Sequence, residues 1–193
     1  MRVLVVYAHP VETSFNAAVH RTVVEALEKA GHEVDDCDLN AEGFDPVLSR
    51  EERLNYHDLD VNRRNVDPYV QRLLNAEALV ICHPVWNFGF PAILKGFFDR
   101  VFLPGVSFRM ENGIVKPNLH NITKLAAVVT YGGARWRAFA VGDPPRKIVK
   151  RVFGALIKPF GPVLYLAHYD MNRSTDATRA AFLKKVAAAM ERF

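Results

Sequence analysis

His9, Ser14 and Asn16 lie together in the segment His9-Pro10-Val11-Glu12-Thr13-Ser14-Phe15-Asn16, just where helical periodicity begins. Free backbone N–H groups and the helix dipole favour an anion at such a start. Ser14, Asn16 and His9 add donors suited to phosphate oxygens, although the same residues also suit a plain cap by Thr13 or Ser14. A second segment, Pro84-Val85-Trp86-Asn87-Phe88-Gly89-Phe90-Pro91, sets large aromatics on a loop. Something flat and apolar must cover them: a planar ligand, a neighbouring helix or a second subunit. The third, Thr130-Tyr131-Gly132-Gly133, ends in a glycine pair that lets backbone N–H groups approach a ligand or simply makes a turn, and Arg135, Trp136 and Arg137 follow. Together these loops suit a ligand with a phosphate tail and a planar ring, a description that flavin meets.

Other chemistries find less support. Neither G-x-G-x-x-G nor G-x-x-x-x-G-K-[ST] occurs, so the dinucleotide fingerprint and the P-loop are absent. His9 and His83 have no evident third ligand, and no metal site is expected. Cys37 and Cys82 are the only cysteines and lack C-x-x-C spacing, which argues against a disulfide framework. A net charge of +4 is too mild to name nucleic acid as a partner. The spacing of Arg146, Lys147, Lys150, Arg151 and Lys158 places most of them along one helix face without interleaved aromatics, and they read as a solvated face rather than a nucleic-acid or membrane surface. Asp99 and Arg100 read as a pair on a helix surface or at a dimer interface.

The elements that must position these loops follow from periodicity. Val3–Ala8, Leu79–His83, Leu125–Tyr131 and Val163–His168 are apolar, β-branched runs suited to strands buried on both faces, and 32–37 is a weaker one that alternates more. Helices are predicted over 14–30 (ending at Gly31), 67–76, 91–102, 144–157 and 174–192, the last with Ser174 and Asp176 in capping positions. Five strands alternating with five helices make an α/β fold: a doubly wound, flavodoxin-like, five-stranded parallel sheet of order 2-1-3-4-5 with helices on both faces. The three loops fall at the carboxyl ends of its strands, where ligands of such sheets bind. Residues 39–66 form a charged insertion, and 108–110 with 114–116 could pair as a hairpin. One domain over residues 1–193 and a cytoplasmic location are expected: the apolar start is too short for a signal peptide, and the longest apolar stretch is broken by Lys158, Pro159 and Pro162.

Tyr7-Ala8-His9-Pro10, Ser14-Phe15-Asn16, Phe44-Asp45-Pro46-Val47-Leu48-Ser49 and the stretch from Pro84 to Phe102 resemble the NAD(P)H:quinone oxidoreductase family of flavodoxin-like flavoproteins. The resemblance implies bound FAD or FMN, a homodimer with its site at the subunit interface, and ping-pong two-electron reduction of quinones by NAD(P)H. It implies that His9, Ser14, Phe15 and Asn16 hold the phosphate end. Pro84, Val85, Trp86, Asn87 and Phe88 would line the isoalloxazine, and Thr130, Tyr131, Gly132 and Gly133 would meet its pyrimidine edge. Phe108 and Trp136 would belong to the substrate pocket, and Arg179 would contact the adenosine part of FAD.

Two departures bear on this reading. The animal enzymes carry a Tyr and a His after the glycine pair, where this sequence has Arg135, Trp136 and Arg137; one of these arginines is expected to supply positive charge to the flavin N1/O2 edge. Those enzymes also carry a further C-terminal region, so Arg179 favours FAD while the shorter chain suits FMN. Alternative roles are an ancillary flavoprotein contacting a membrane potassium efflux channel, and an azo- or nitro-compound reductase.

Overall fold

The computed structural model describes residues 1–193. The chain runs β1 (Arg2–Tyr7), α1 (Phe15–Lys29), β2 (Glu33–Asp38), α2 (Arg50–Leu54), α3 (Asp67–Asn75), β3 (Ala78–Val85) and α4 (Ala92–Val101). It continues through β4 (Phe108–Glu111), β5 (Ile114–Pro117), β6 (Lys124–Tyr131), α5 (Arg135–Ala140), α6 (Pro144–Lys147), a π-helical segment (Ile148–Phe153), α7 (Gly154–Leu156), β7 (Val163–His168) and α8 (Asp176–Met190). The main sheet is parallel throughout, with order β2-β1-β3-β6-β7. In strand count that is the expected 2-1-3-4-5, because β4 and β5 form a separate antiparallel hairpin.

Strand alternation divides the interior into two cores. Val3, Val5, Ala78, Val80, Ala126 and Val128 face α1 and α8, whose Val19, Val23, Leu27, Phe182 and Val186 cover them. Leu4, Val6, Leu79, Ile81, Leu125 and Ala127 face the other way, onto Val70, Leu73, Leu94 and Phe97 of α3 and α4. β2 is an edge strand; Arg72 of α3 reaches its Asp35 at 2.6 Å and Glu42, just beyond the strand, at 2.8 Å.

Several details differ from the sequence reading. Thr175, not Ser174, caps α8 in a reciprocal capping box with Thr178. The stretch after the glycine pair is not all loop, since Arg135–Ala140 closes into a short helix. The charged insertion is built onto α4: Phe44 packs on Phe97 and Tyr69, and Pro46 sits directly against Gly96. Arg100 pairs there with Glu52 at 2.6 Å, both side chains nearly buried, and it donates to the Asp45 carbonyl. The expected Asp99–Arg100 pair is therefore not formed; Asp99 binds Lys95 on the outer side of the helix.

Candidate functional site

The carboxyl ends of β1, β3 and β6 bring the three loops to one edge of the sheet. At the first, Ser14 Oγ accepts the Ala17 N–H at 3.1 Å and so caps α1. His9 Nδ1 accepts the Val11 N–H at 3.0 Å, which leaves Nε2 as the ring donor. Burial holds the His9 imidazole below its usual pKa, so the ring is a neutral donor around pH 7. Asn16 is 3% exposed, and its amide donates to Thr130 Oγ1 at 3.2 Å, tying α1 to β6 across the sheet end. The Asn16 Oδ1 is buried without a partner. Phe15 turns toward β7 and α8, its ring 5.5 Å from His168 and 6.4 Å from Phe182.

The second loop carries backbone strain. Trp86 and Gly89 exchange backbone hydrogen bonds at 3.2 and 2.8 Å, closing a tight turn in which Asn87 and Phe88 both have left-handed φ, 49° and 57°. Asn adopts that region readily, but Phe does so at a cost of about 1–2 kcal/mol. The Asn87 and Phe88 N–H groups bond to no other protein atom, and the Trp86 and Phe88 side chains remain about two-fifths exposed. His9 meets Trp86 edge-on at 5.8 Å, joining the first two loops. Val85 and Pro84 continue β3 beside Tyr131 and Thr130. His83 is turned into the core against Phe90, where burial pushes its pKa down to about 4, so it does not converge with His9.

Gly132 and Gly133 accept backbone hydrogen bonds from Asn172 and Asp170 in the β7–α8 connection. Neither has a left-handed φ. An added Cβ would make only ordinary contacts, 3.5 Å from Asn172 Oδ1 and 3.6 Å from Arg137 Cδ. Nothing inside the chain requires glycine here, as expected where the open side must admit a ligand closely. The Arg137 stem lies across Gly133 and its guanidinium rests over Trp136 at 5.3 Å. Arg135 instead lines a cavity with Phe139, Arg146 and Tyr169. Arg179 is held by Ser174 Oγ at 2.8 Å and by Asp176, at the start of α8.

Trp136 does not line the groove that holds Phe108. Phe108 lines an apolar groove of about 620 Å³ with Phe90, Phe98, Phe102, Val115 and Phe153, whereas Trp136 stands exposed on α5. A tyrosine network escaped sequence reasoning. The Tyr131 hydroxyl meets Asp143 and Tyr165 at 2.5 and 2.7 Å, Arg146 binds Asp143 at 2.9 Å and the Tyr169 hydroxyl at 2.8 Å, and Tyr131 stacks on Tyr169. Burial, with Tyr165 and Asp143 adding to it, pushes the Tyr131 phenol far above its usual value, so it serves as a neutral strut. Gly142-Asp143-Pro144 is the turn signal that could have pointed to it, since Asp143 takes a left-handed φ of 46°.

Three features would fit a flavin: a helix start suited to an anion, two N–H groups without protein partners beside exposed aromatics, and an unencumbered glycine pair. Residues 1–190 match the family described as having a flavodoxin-like fold. Rat (Rattus norvegicus) NAD(P)H dehydrogenase [quinone] 1 is 36% identical over 147 residues, 68% of this chain and 54% of that protein. The chain thus spans about half the length of the curated relatives it matches. Among solved structures, Smu.1420 from Streptococcus mutans UA159 superimposes with a TM-score of 0.87 at 29% identity, covering 100% of both chains. The NAD(P)H:quinone oxidoreductase from Methanothermobacter marburgensis gives 0.85 at 26% identity, covering 99% of this chain and 98% of that one.

Proposed function

The chain belongs to the flavodoxin-like fold family that holds the NAD(P)H:quinone oxidoreductases, and on that premise we propose that it is a flavin-dependent oxidoreductase passing two electrons from NAD(P)H to a quinone. The observation that carries this reading is the Asn87–Phe88 turn: a strained phenylalanine, two unengaged N–H donors and an exposed indole on one loop beside the helix start. Such strain persists where the surrounding structure enforces it, and it clusters at functional sites.

When bound, flavin supplies the hydride chemistry that no side chain here provides. The protein's part is to bind, orient and bias charge. The N–H groups of Phe15 and Asn16, with Ser14 and the His9 Nε2–H, hold the phosphate end against the α1 dipole. Trp86 and Phe88 form an apolar wall that excludes water, and the Asn87 and Phe88 N–H groups direct hydrogen bonds to the ring edge. Gly132 and Gly133 admit the opposite edge, where Arg137, rather than Arg135, is placed to offset developing negative charge. The resemblance assigns Arg179 to the adenosine part of FAD, and this supports FAD over FMN.

A second copy of this chain is the proposed occupant of the Phe108 groove, bringing Phe108 over its partner's flavin site. One pocket then serves NAD(P)H and quinone in turn. Parallel double-reciprocal plots with NADPH and a benzoquinone acceptor are expected; intersecting plots would exclude the shared pocket, and absence of turnover would exclude the activity.

A further inference from the structure

The cavity beyond α5 has a composition the proposed hydride transfer does not use. It measures about 660 Å³, and five of its nine lining residues are cations: Arg135, Arg146, Lys147, Lys150 and Arg151. Arg146 alone has an acidic partner, Asp143 at 2.9 Å; the other four have no carboxylate within 4.0 Å. Unpaired like charges brought into one concavity repel one another and cost stability, so a fold that keeps them there has a reason outside itself.

Arg135, Lys147, Lys150 and Arg151 are exposed along the cavity's open lining, and local structure sets them there. The helix opens at Pro144 and widens into a π-helical segment over Ile148–Phe153, a rare geometry that recurs at functional sites. This segment carries Lys150 and Arg151 to the cavity lined also by Lys147, whose ammonium lies over Gly142. The Tyr131–Asp143–Arg146–Tyr169 network fixes the back of the cavity and leaves Asp143 fully engaged. Phe139 and Tyr169 add aromatic surface suited to a flat base. The cavity adjoins the candidate flavin site: Arg135 lies next but one to Gly133, and Asp170, which follows Tyr169, donates to the Gly133 carbonyl at 2.9 Å.

We propose that this cavity binds the 2′-phosphoadenosine end of the reductant, so that the protein selects NADPH over NADH. The inference rests on the proposed oxidoreductase reading for its substrate and on the cavity alone for its anion. At neutral pH the 2′-phosphate carries between one and two negative charges and three acceptor oxygens, which match a cluster of unpaired Lys and Arg.

The test titrates the flavin-loaded protein calorimetrically with adenosine 2′,5′-bisphosphate and with AMP, then measures kcat/KM for NADPH and NADH with a benzoquinone acceptor. The bisphosphate is expected to bind at least about tenfold more tightly than AMP, and NADPH to be favoured by a similar factor. Both preferences should collapse in the double variant Lys150→Ala/Arg151→Ala and survive in Lys150→Arg/Arg151→Lys. The alanine variant should unfold at the wild-type temperature or above, since repulsion is relieved. Equal kcat/KM for the two nucleotides, or a preference that persists in the alanine variant, overturns the inference while leaving the oxidoreductase reading intact. Selective bisphosphate binding without quinone turnover supports the cavity and removes that reading. Co-sedimentation with phosphatidylserine-containing vesicles that the bisphosphate does not displace would assign the basic face to a membrane surface and overturn the proposal.

Discussion

Replacing Gly96 by Ala in α4 is expected to destabilise the protein, against the general rule for helices. In an exposed helix interior the change gains about 1 kcal/mol, because alanine loses less backbone entropy on folding. Here an added Cβ would lie 2.2 Å from the Pro46 carbonyl oxygen, 2.4 Å from Pro46 Cβ and 2.5 Å from Pro46 Cα. Reaching an ordinary 3.4 Å contact with that oxygen needs about 1.2 Å of movement by backbone and ring atoms rather than by a flexible side chain. The segment cannot drift outward freely. Phe44 is wedged between Tyr69 and Phe97, and Arg100 holds the Asp45 carbonyl and Glu52. Overpacking of this kind costs typically about 1–3 kcal/mol, and the anchors on both sides place it at the upper end. Set against the helix gain, the net loss is about 1–2 kcal/mol, or roughly 2–8 °C in melting temperature for a chain of this size. Thermal and urea unfolding of Gly96→Ala beside wild type measures it. An unchanged or raised stability would refute the reasoning and show that residues 44–49 are loosely held.

Glu52→Gln should cost about 3 kcal/mol at pH 7, since it leaves the nearly buried Arg100 without its countercharge. Burial alone would raise the Glu52 pKa, but the Ser49 N–H and the Arg100 guanidinium outweigh it and hold the carboxyl below its usual value. This stabilisation is therefore present above the unfolded carboxyl range and is lost as pH falls through the folded value. Urea midpoints of wild type and Glu52→Gln should converge as pH is lowered below the usual carboxylate range; a constant gap would contradict the assignment. Asn16→Ala removes the bond to Thr130 and should speed flavin loss on dialysis by about tenfold, a retention unchanged from wild type counting against the proposed phosphate end. Arg137→Ala is expected to slow flavin reduction in stopped flow more than Arg135→Ala does, because only Arg137 crosses the glycine pair. The reverse order would exchange their proposed roles.

The sheet was legible because its central strands are continuous apolar runs, which only two-sided burial explains. Val163–His168 was found to the residue, and the β4–β5 hairpin followed from Asn112-Gly113, whose φ values are both positive. The helix Arg135–Ala140 was not legible. It is six residues long with Trp136 and Phe139 exposed, so it has no buried face to impose a period. Arg100 was misplaced for a related reason: its partner Glu52 lies 48 residues away, and sequence spacing offered only the adjacent Asp99. The basic residues after Pro144 were visible as a charged face. That most of them line a cavity depends on a left-handed Asp143 and a tyrosine network drawn from β6 and β7, contacts that no local pattern encodes. Lys158, grouped with them in the sequence, lies beyond α7 and does not line the cavity. Within the candidate site, the loops were found from their residue types, whereas the strain at Phe88 appears only in its backbone angle.

The absorption spectrum of the purified protein tests the central claim most directly, with the chromophore then released and chromatographed. The account predicts the bands of oxidised flavin, bleached anaerobically by NAD(P)H and restored by a quinone, with the released compound distinguishing FAD from FMN. A colourless protein that takes up neither flavin when offered it, and leaves NAD(P)H unoxidised, would contradict it.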